Sequence, residues 1–106
     1  MDLSKPDLKI ELSPSQLSRI DGWLRDFYFK CKSRMSDPVV EDGFLKISSA
    51  DVYNFLLAIE IDEANQFDFV RLKACAIKEV TKKRNRTRDP LVVHHYSSCE
   101  EIVKRI

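Results

Sequence analysis

Residues 7–12, DLKIEL, alternate polar and apolar side chains, with Leu8, Ile10 and Leu12 on one side and Asp7, Lys9 and Glu11 on the other. A period of two over this length predicts a half-buried β-strand. The period changes at Ser13. That serine stands as an N-cap, Pro14 suits the first helical position, and Gln16 lies three residues after the cap, as a capping box requires. Leu17, Ile20, Leu24, Phe27 and Cys31 then recur at helical spacing and predict a first helix from Pro14 to about Lys32. Gly22 falls inside it, where glycine costs up to ~1 kcal/mol relative to alanine. It either admits a close neighbouring backbone or is simply tolerated.

Residues 33–43, SRMSDPVVEDG, read as a loop, with turn signals at Ser36-Asp37-Pro38 and Asp42-Gly43. FLKIS (44–48) reads as a brief extended segment leading into a second helix. Ser48 or Ser49 caps that helix, Asp51 favours its first turn through the dipole, and Val52, Phe55, Leu56 and Ile59 form its buried stripe. A third helix follows, capped by Asn65, with Asp68 in its first turn and Phe67, Val70, Ala74 and Ile77 along one side. It should end among cations near Lys83. RNRTRDP (84–90) is a break, and LVVHHY (91–96) is strand-like or extended. Ser98 and Glu101 have capping-box spacing ahead of a last short helix. A lone strand at 8–12 leaves its backbone unpaired, so it needs a partner. The candidates are 44–47 or 91–96 of the same chain, or the same strand of another copy.

IELSPSQLSRIDGWL (10–24) resembles the opening of the ribbon-helix-helix DNA-binding family, and KISSADVYNFLLAI (46–59) resembles that family's second helix. The resemblance implies a mainly α fold with one N-terminal β-strand, forming a ribbon-helix-helix-like dimer with additional C-terminal helices. Residues 1–106 would be a single domain, with a 7–60 core, a loop insertion at 33–45 and a C-terminal helical extension at 65–106. Two chains would pair their N-terminal strands into a ribbon that enters the major groove of double-stranded DNA. Asp7, Lys9 and Glu11 would face base edges, Glu11 being able to accept from a cytosine amino group. Lys46, Ser48 and Ser49 would hold phosphate at the start of the second helix. The implied function is sequence-specific DNA binding, as a small transcriptional repressor or a plasmid or phage accessory factor.

Charge adds a second surface. From Ser36 to Phe69 there are eight acids (Asp37, Glu41, Asp42, Asp51, Glu60, Asp62, Glu63, Asp68) against Lys46 alone. From Lys78 to Asp89 there are six bases against Glu79 and Asp89, and Lys82, Lys83, Arg84, Arg86 and Arg88 among them are candidate phosphate contacts. Such a dipolar chain also suits a protein-interaction module, an inhibitor or adaptor without DNA binding. That module would use the acidic 37–68 surface or the aromatic first helix, with Trp23, Phe27, Tyr28 and Phe29. A third alternative keeps the fold and uses the ribbon only to dimerise.

Composition narrows the rest. A length of 106 residues and a hydrophobic fraction of 43% fit one globular domain. No run of 18 apolar residues occurs and MDLSKPD has no apolar leader core, so neither a membrane span nor a secretory signal is expected. Cys31, Cys75 and Cys99 are odd in number and far apart, which points to reduced thiols in the cytoplasm. His94, His95 and Cys99 form the one cluster of metal-capable side chains, short of the four ligands that structural zinc uses. Gly22 and Gly43 stand alone, so no phosphate-cradling loop is present, and no serine, histidine and acid share a recognised nucleophile context. Neither catalysis nor a cofactor or metal is expected.

Overall fold

The N-terminal strand finds its partner inside the chain. The computed structural model describes residues 5–59 and 66–106. Among these the order is β1 (Leu8–Glu11), α1 (Pro14–Lys30), β2 (Val39–Glu41), β3 (Phe44–Ile47), α2 (Val52–Ile59), α3 (Gln66–Arg86) and α4 (Pro90–Lys104). β1 pairs antiparallel with β3, Leu8 opposite Ile47 and Ile10 opposite Leu45, and β2 pairs with β3 on its other side. The period-two pattern is obeyed: Leu8, Ile10, Leu45 and Ile47 are fully buried, while Lys9 and Glu11 face solvent.

The span read as an inserted loop therefore carries a hairpin. Asp42 and Gly43 both have positive φ, 55° and 80°, which is what a two-residue turn between twisted strands demands. β2 is only three residues long and mostly exposed, so it left little periodic signal.

The capping box at the start of α1 forms as its residues predict. The Ser13 N–H donates to Gln16 Oε1 at 2.7 Å, and the Gln16 N–H donates to Ser13 Oγ at 3.2 Å. Gln16 is itself buried, because its Nε2 also donates to the Asp68 carbonyl at 3.1 Å. This turns the core face of α1 to Ile20, Trp23 and Phe27 and leaves Leu17 38% exposed. Gly22 would meet nothing within 4 Å if it carried a Cβ, so it is tolerated and makes no close approach. α2 buries the expected stripe of Val52, Phe55, Leu56 and Ile59.

Two expectations at the C-terminal end are corrected. LVVHHY is helical: Asp89 caps α4 by accepting the Leu91 N–H at 3.0 Å, and Pro90 occupies the first turn. The helix thus starts before Ser98, and its buried residues, Tyr96, Cys99 and Val103, keep helical spacing against α3. On α3 the buried stripe is Phe69, Leu72, Ala76 and Val80 rather than Phe67, Val70, Ala74 and Ile77. Asp68 decides the rotation. Its carboxylate accepts from Ser15 Oγ at 2.7 Å and Arg19 Nε at 3.1 Å, which draws the adjoining face of α3 toward α1. The Asn65 cap lies outside the described residues.

α3 and α4 fold back on each other, α3 also packs on β1, and α2 touches α1, α3 and α4. The Cα radius of gyration is 13.1 Å, the ~13 Å of a compact 100-residue domain. One chain thus encloses a full core.

Candidate interaction surface

Several residues expected at DNA are engaged within the chain. Asp7 accepts the Ser49 N–H at 2.6 Å through Oδ1, and through Oδ2 it accepts Ser49 Oγ and the Tyr96 hydroxyl, each at 2.8 Å. The Ser49 hydroxyl also lies 2.7 Å from His95 Nε2. A hydroxyl has one proton, and here it goes to the carboxylate, so the imidazole N–H donates to Ser49 Oγ. In a serine nucleophile the imidazole would accept that proton and the acid would orient the imidazole. The polarity here is the reverse, and the group ties β1, the turn before α2, and α4 into one knot. Burial, with the Asp7 hydrogen bond, pushes the Tyr96 phenol well above its ordinary range.

Ser48 and Asp51 form a second internal group. Asp51 is fully buried and accepts the Met35 N–H at 2.9 Å, the Ser36 N–H at 3.0 Å and Ser48 Oγ at 3.0 Å. It fixes the loop after α1. With Asp68 also buried, two acids of the expected 37–68 surface belong to the interior. Asp37 and Glu41 are exposed but paired with Arg34 at 2.9 Å and Lys46 at 3.2 Å. Glu60, Asp62 and Glu63 lie outside the described residues.

The outward sheet face carries Lys9, Glu11, Glu41 and Lys46, which balance in charge, and Lys9 sits 4.5 Å above the Phe44 ring. At the far end of α3, Arg84 and Lys104 both bridge to Glu100, the latter at 2.9 Å, and Lys82 pairs with Glu79 at 3.5 Å. Lys83 is partly buried, whereas Arg86 and Arg88 are exposed. Hydrogen bonding from Lys104, helped by Arg84, holds the Glu100 carboxyl below its ordinary range.

The metal-capable residues do not converge. His94 faces a shallow hollow on α4 with Ser97, Ser98 and Glu101, His95 turns to Ser49, and Cys99 donates to the Ser49 carbonyl at 3.3 Å. Among the described residues no three His, Cys, Asp or Glu side chains are placed to hold an ion. On α1, Trp23 and Phe27 are core and the Tyr28 hydroxyl donates to the Pro38 carbonyl at 3.4 Å, so Phe29, 81% exposed, is the aromatic left to solvent.

The outward side of α3 is a surface of a different kind. Phe67 is 74% and Val70 54% exposed, and Ala74 and Ile77 continue the same stripe at helical spacing. Beside it, Phe69, Val70, Lys73, Ala74, Ile77 and Ile106 line a mostly apolar hollow of about 310 Å³. Lys73 Nζ donates to the Ile106 main-chain oxygen at the hollow's rim. Arg71 lies 5.8 Å over the Phe67 ring. The sequence places these residues along one side of the helix, and the structure turns Phe67, Val70 and Ala74 of that side outward. No family model, curated protein or solved structure matches the chain.

Proposed function

We propose that the chain is a non-catalytic protein-interaction domain whose working surface is the outward face of α3. The observation that carries this is the double stripe: one apolar row of α3 completes the core, and a second stands in water with Phe67 and Val70 exposed. Ile77 at one end of the row leans on the core, while Phe67, Val70 and Ala74 are exposed among the described residues. An apolar row so presented at helical spacing is the form that helix-in-groove recognition takes. The unpaired thiols of Cys31, Cys75 and Cys99 suit work in the cytoplasm. Among the described residues no helix is long and apolar enough to cross a membrane. A photo-crosslinking phenylalanine analogue placed at position 67, in cells that make the protein, tests the assignment. Discrete protein adducts are expected that vanish with Val70→Asp and do not form when the analogue replaces Asp42. Adducts to DNA, or none, would reverse it.

A second reading, DNA binding by a ribbon-helix-helix-like dimer acting as a repressor or plasmid or phage accessory factor, is favoured by two observations. β1 is an edge strand of its sheet, the place where a second copy would add its own strand, and Arg86 and Arg88 stand exposed at and just past the end of α3. Lys9, Glu11 and Lys46 would then face the duplex, without Asp7, Ser48 and Ser49. Light scattering with duplex DNA at low and moderate salt tests it: a dimer that joins DNA and releases it as salt rises is the required outcome.

A further inference from the structure

We propose that the occupant of the outward α3 face is an acidic amphipathic helix of another protein, with one apolar side chain seated in the hollow beside Ile77. The inference rests on the interaction reading above and adds the partner's chemistry.

Charge carries the argument. α3 holds seven bases and two acids. Both acids are turned away from the stripe: Asp68 is buried against Ser15 and Arg19, and Glu79 pairs with Lys82. Arg71, which shares a hollow with Glu11 of β1, and Lys78 flank the stripe and are exposed, with no acid of their own helix between them. A surface that is apolar along its middle and cationic along its edge is complementary to a helix with apolar residues at i, i+3 or i+4 and i+7 and carboxylates beside them. A second copy of this chain fits poorly, because a two-fold contact through the stripe sets Arg71 and Lys78 near copies of themselves. Shape separates the remaining occupants. The hollow formed by Val70, Ala74, Ile77 and Ile106 is concave and receives a protruding side chain, whereas a bilayer surface or a duplex leaves it unfilled. Rows of side chains spaced by three and four also match the ridges and grooves of a second helix.

Selection from displayed helical peptides of about 20 residues, long enough to hold a helix, with the full chain as bait, tests the proposal. Enriched peptides are expected to combine an apolar helical stripe with Asp or Glu at its flanks, and to lose binding to Phe67→Ser/Val70→Ser. Arg71→Glu with Lys78→Glu should weaken the best peptide about tenfold or more, the effect of roughly 1.4 kcal/mol. A peptide with its acids changed to lysine should bind the reversed chain instead. All four positions are exposed or half-exposed, and Trp23 emission verifies the fold of each variant. Peptides that need Phe67 and Val70 but carry no acids would overturn the partner's chemistry and leave the interaction domain standing. An empty selection, or peptides indifferent to the stripe, would overturn both. Tighter binding to phosphatidylserine vesicles, lost on the same stripe substitutions, would replace the helix by an anionic bilayer.

Discussion

Gly22 has open space where a side chain would stand, and it lies mid-helix with ordinary helical backbone. Gly22→Ala should therefore stabilise the protein by about 0.5–1 kcal/mol, through a less flexible unfolded chain and better helix propensity. Urea titration followed by the emission of Trp23, the chain's one tryptophan, measures this as a higher midpoint at unchanged slope. Cys99 is governed by its surroundings in the opposite sense. Burial, with the Asp7 and Glu100 carboxylates nearby, pushes its thiol from 9.0 up to about 11. At neutral pH it stays a thiol and reacts slowly. Alkylation followed by mass spectrometry should mark the half-buried Cys31 and Cys75 in the native protein and Cys99 only as it unfolds. Labelling of Cys99 at the rate of the other two would contradict that. The raised value also means that its contribution to stability is full below pH 9 and lost as pH rises toward 11.

At the scale of elements, legibility depended on how many constraints agreed. α1 had a cap, a proline and a period that all pointed one way, and its start is where they place it. α2 had a single apolar stripe and buried it. α3 has two stripes, and periodicity cannot choose between them; the choice is made by the Asp68 contacts with Ser15 and Arg19, some 50 residues away in sequence. α4 was misread because Leu91, Val92 and Val93 favour strands locally, while the Asp89-Pro90 start signal and the α3 surface outweigh that preference. The bridge between these two helices gives a pH prediction. Glu100 is held below its ordinary 4.5 by Lys104 and Arg84, so its stabilisation is present above about pH 4.5 and fades as pH falls through its lower folded value. Glu100→Gln should cost about 1 kcal/mol at pH 7, and the difference from the parent chain should shrink on acidification. Urea midpoints from pH 7 down to pH 3 would check it; a constant difference would mean that the bridge is not its source.

For the whole molecule, the strand–helix opening was readable but the identity of the strand's partner was not. Residues 44–47 were among the candidates, and the deciding information is the hairpin that brings β2 and β3 together at Asp42-Gly43. What holds that assembly to the C-terminal helix is the knot at Asp7, whose members stand 42 and 89 residues from it in sequence. No local pattern marks such a group: Asp7 looked like one of three outward strand residues, Ser49 like a helix cap, and His95 and Tyr96 like part of a strand. Because Asp7 accepts three hydrogen bonds, Asp7→Ala should leave the Ser49 N–H and two hydroxyls without their acceptor and cost about 2–4 kcal/mol. Tyr96→Phe alone should cost about 1 kcal/mol. Since both substitutions break the same contact, their sum should exceed the double variant by about 1 kcal/mol. The knot joins residues 89 apart in sequence, so the loss should lower the urea midpoint of Trp23 emission and of helical circular dichroism together. Additive effects would mean that Asp7 and Tyr96 act separately. A helical transition split from the Trp23 transition would mean that α3 and α4 hold together independently of the sheet.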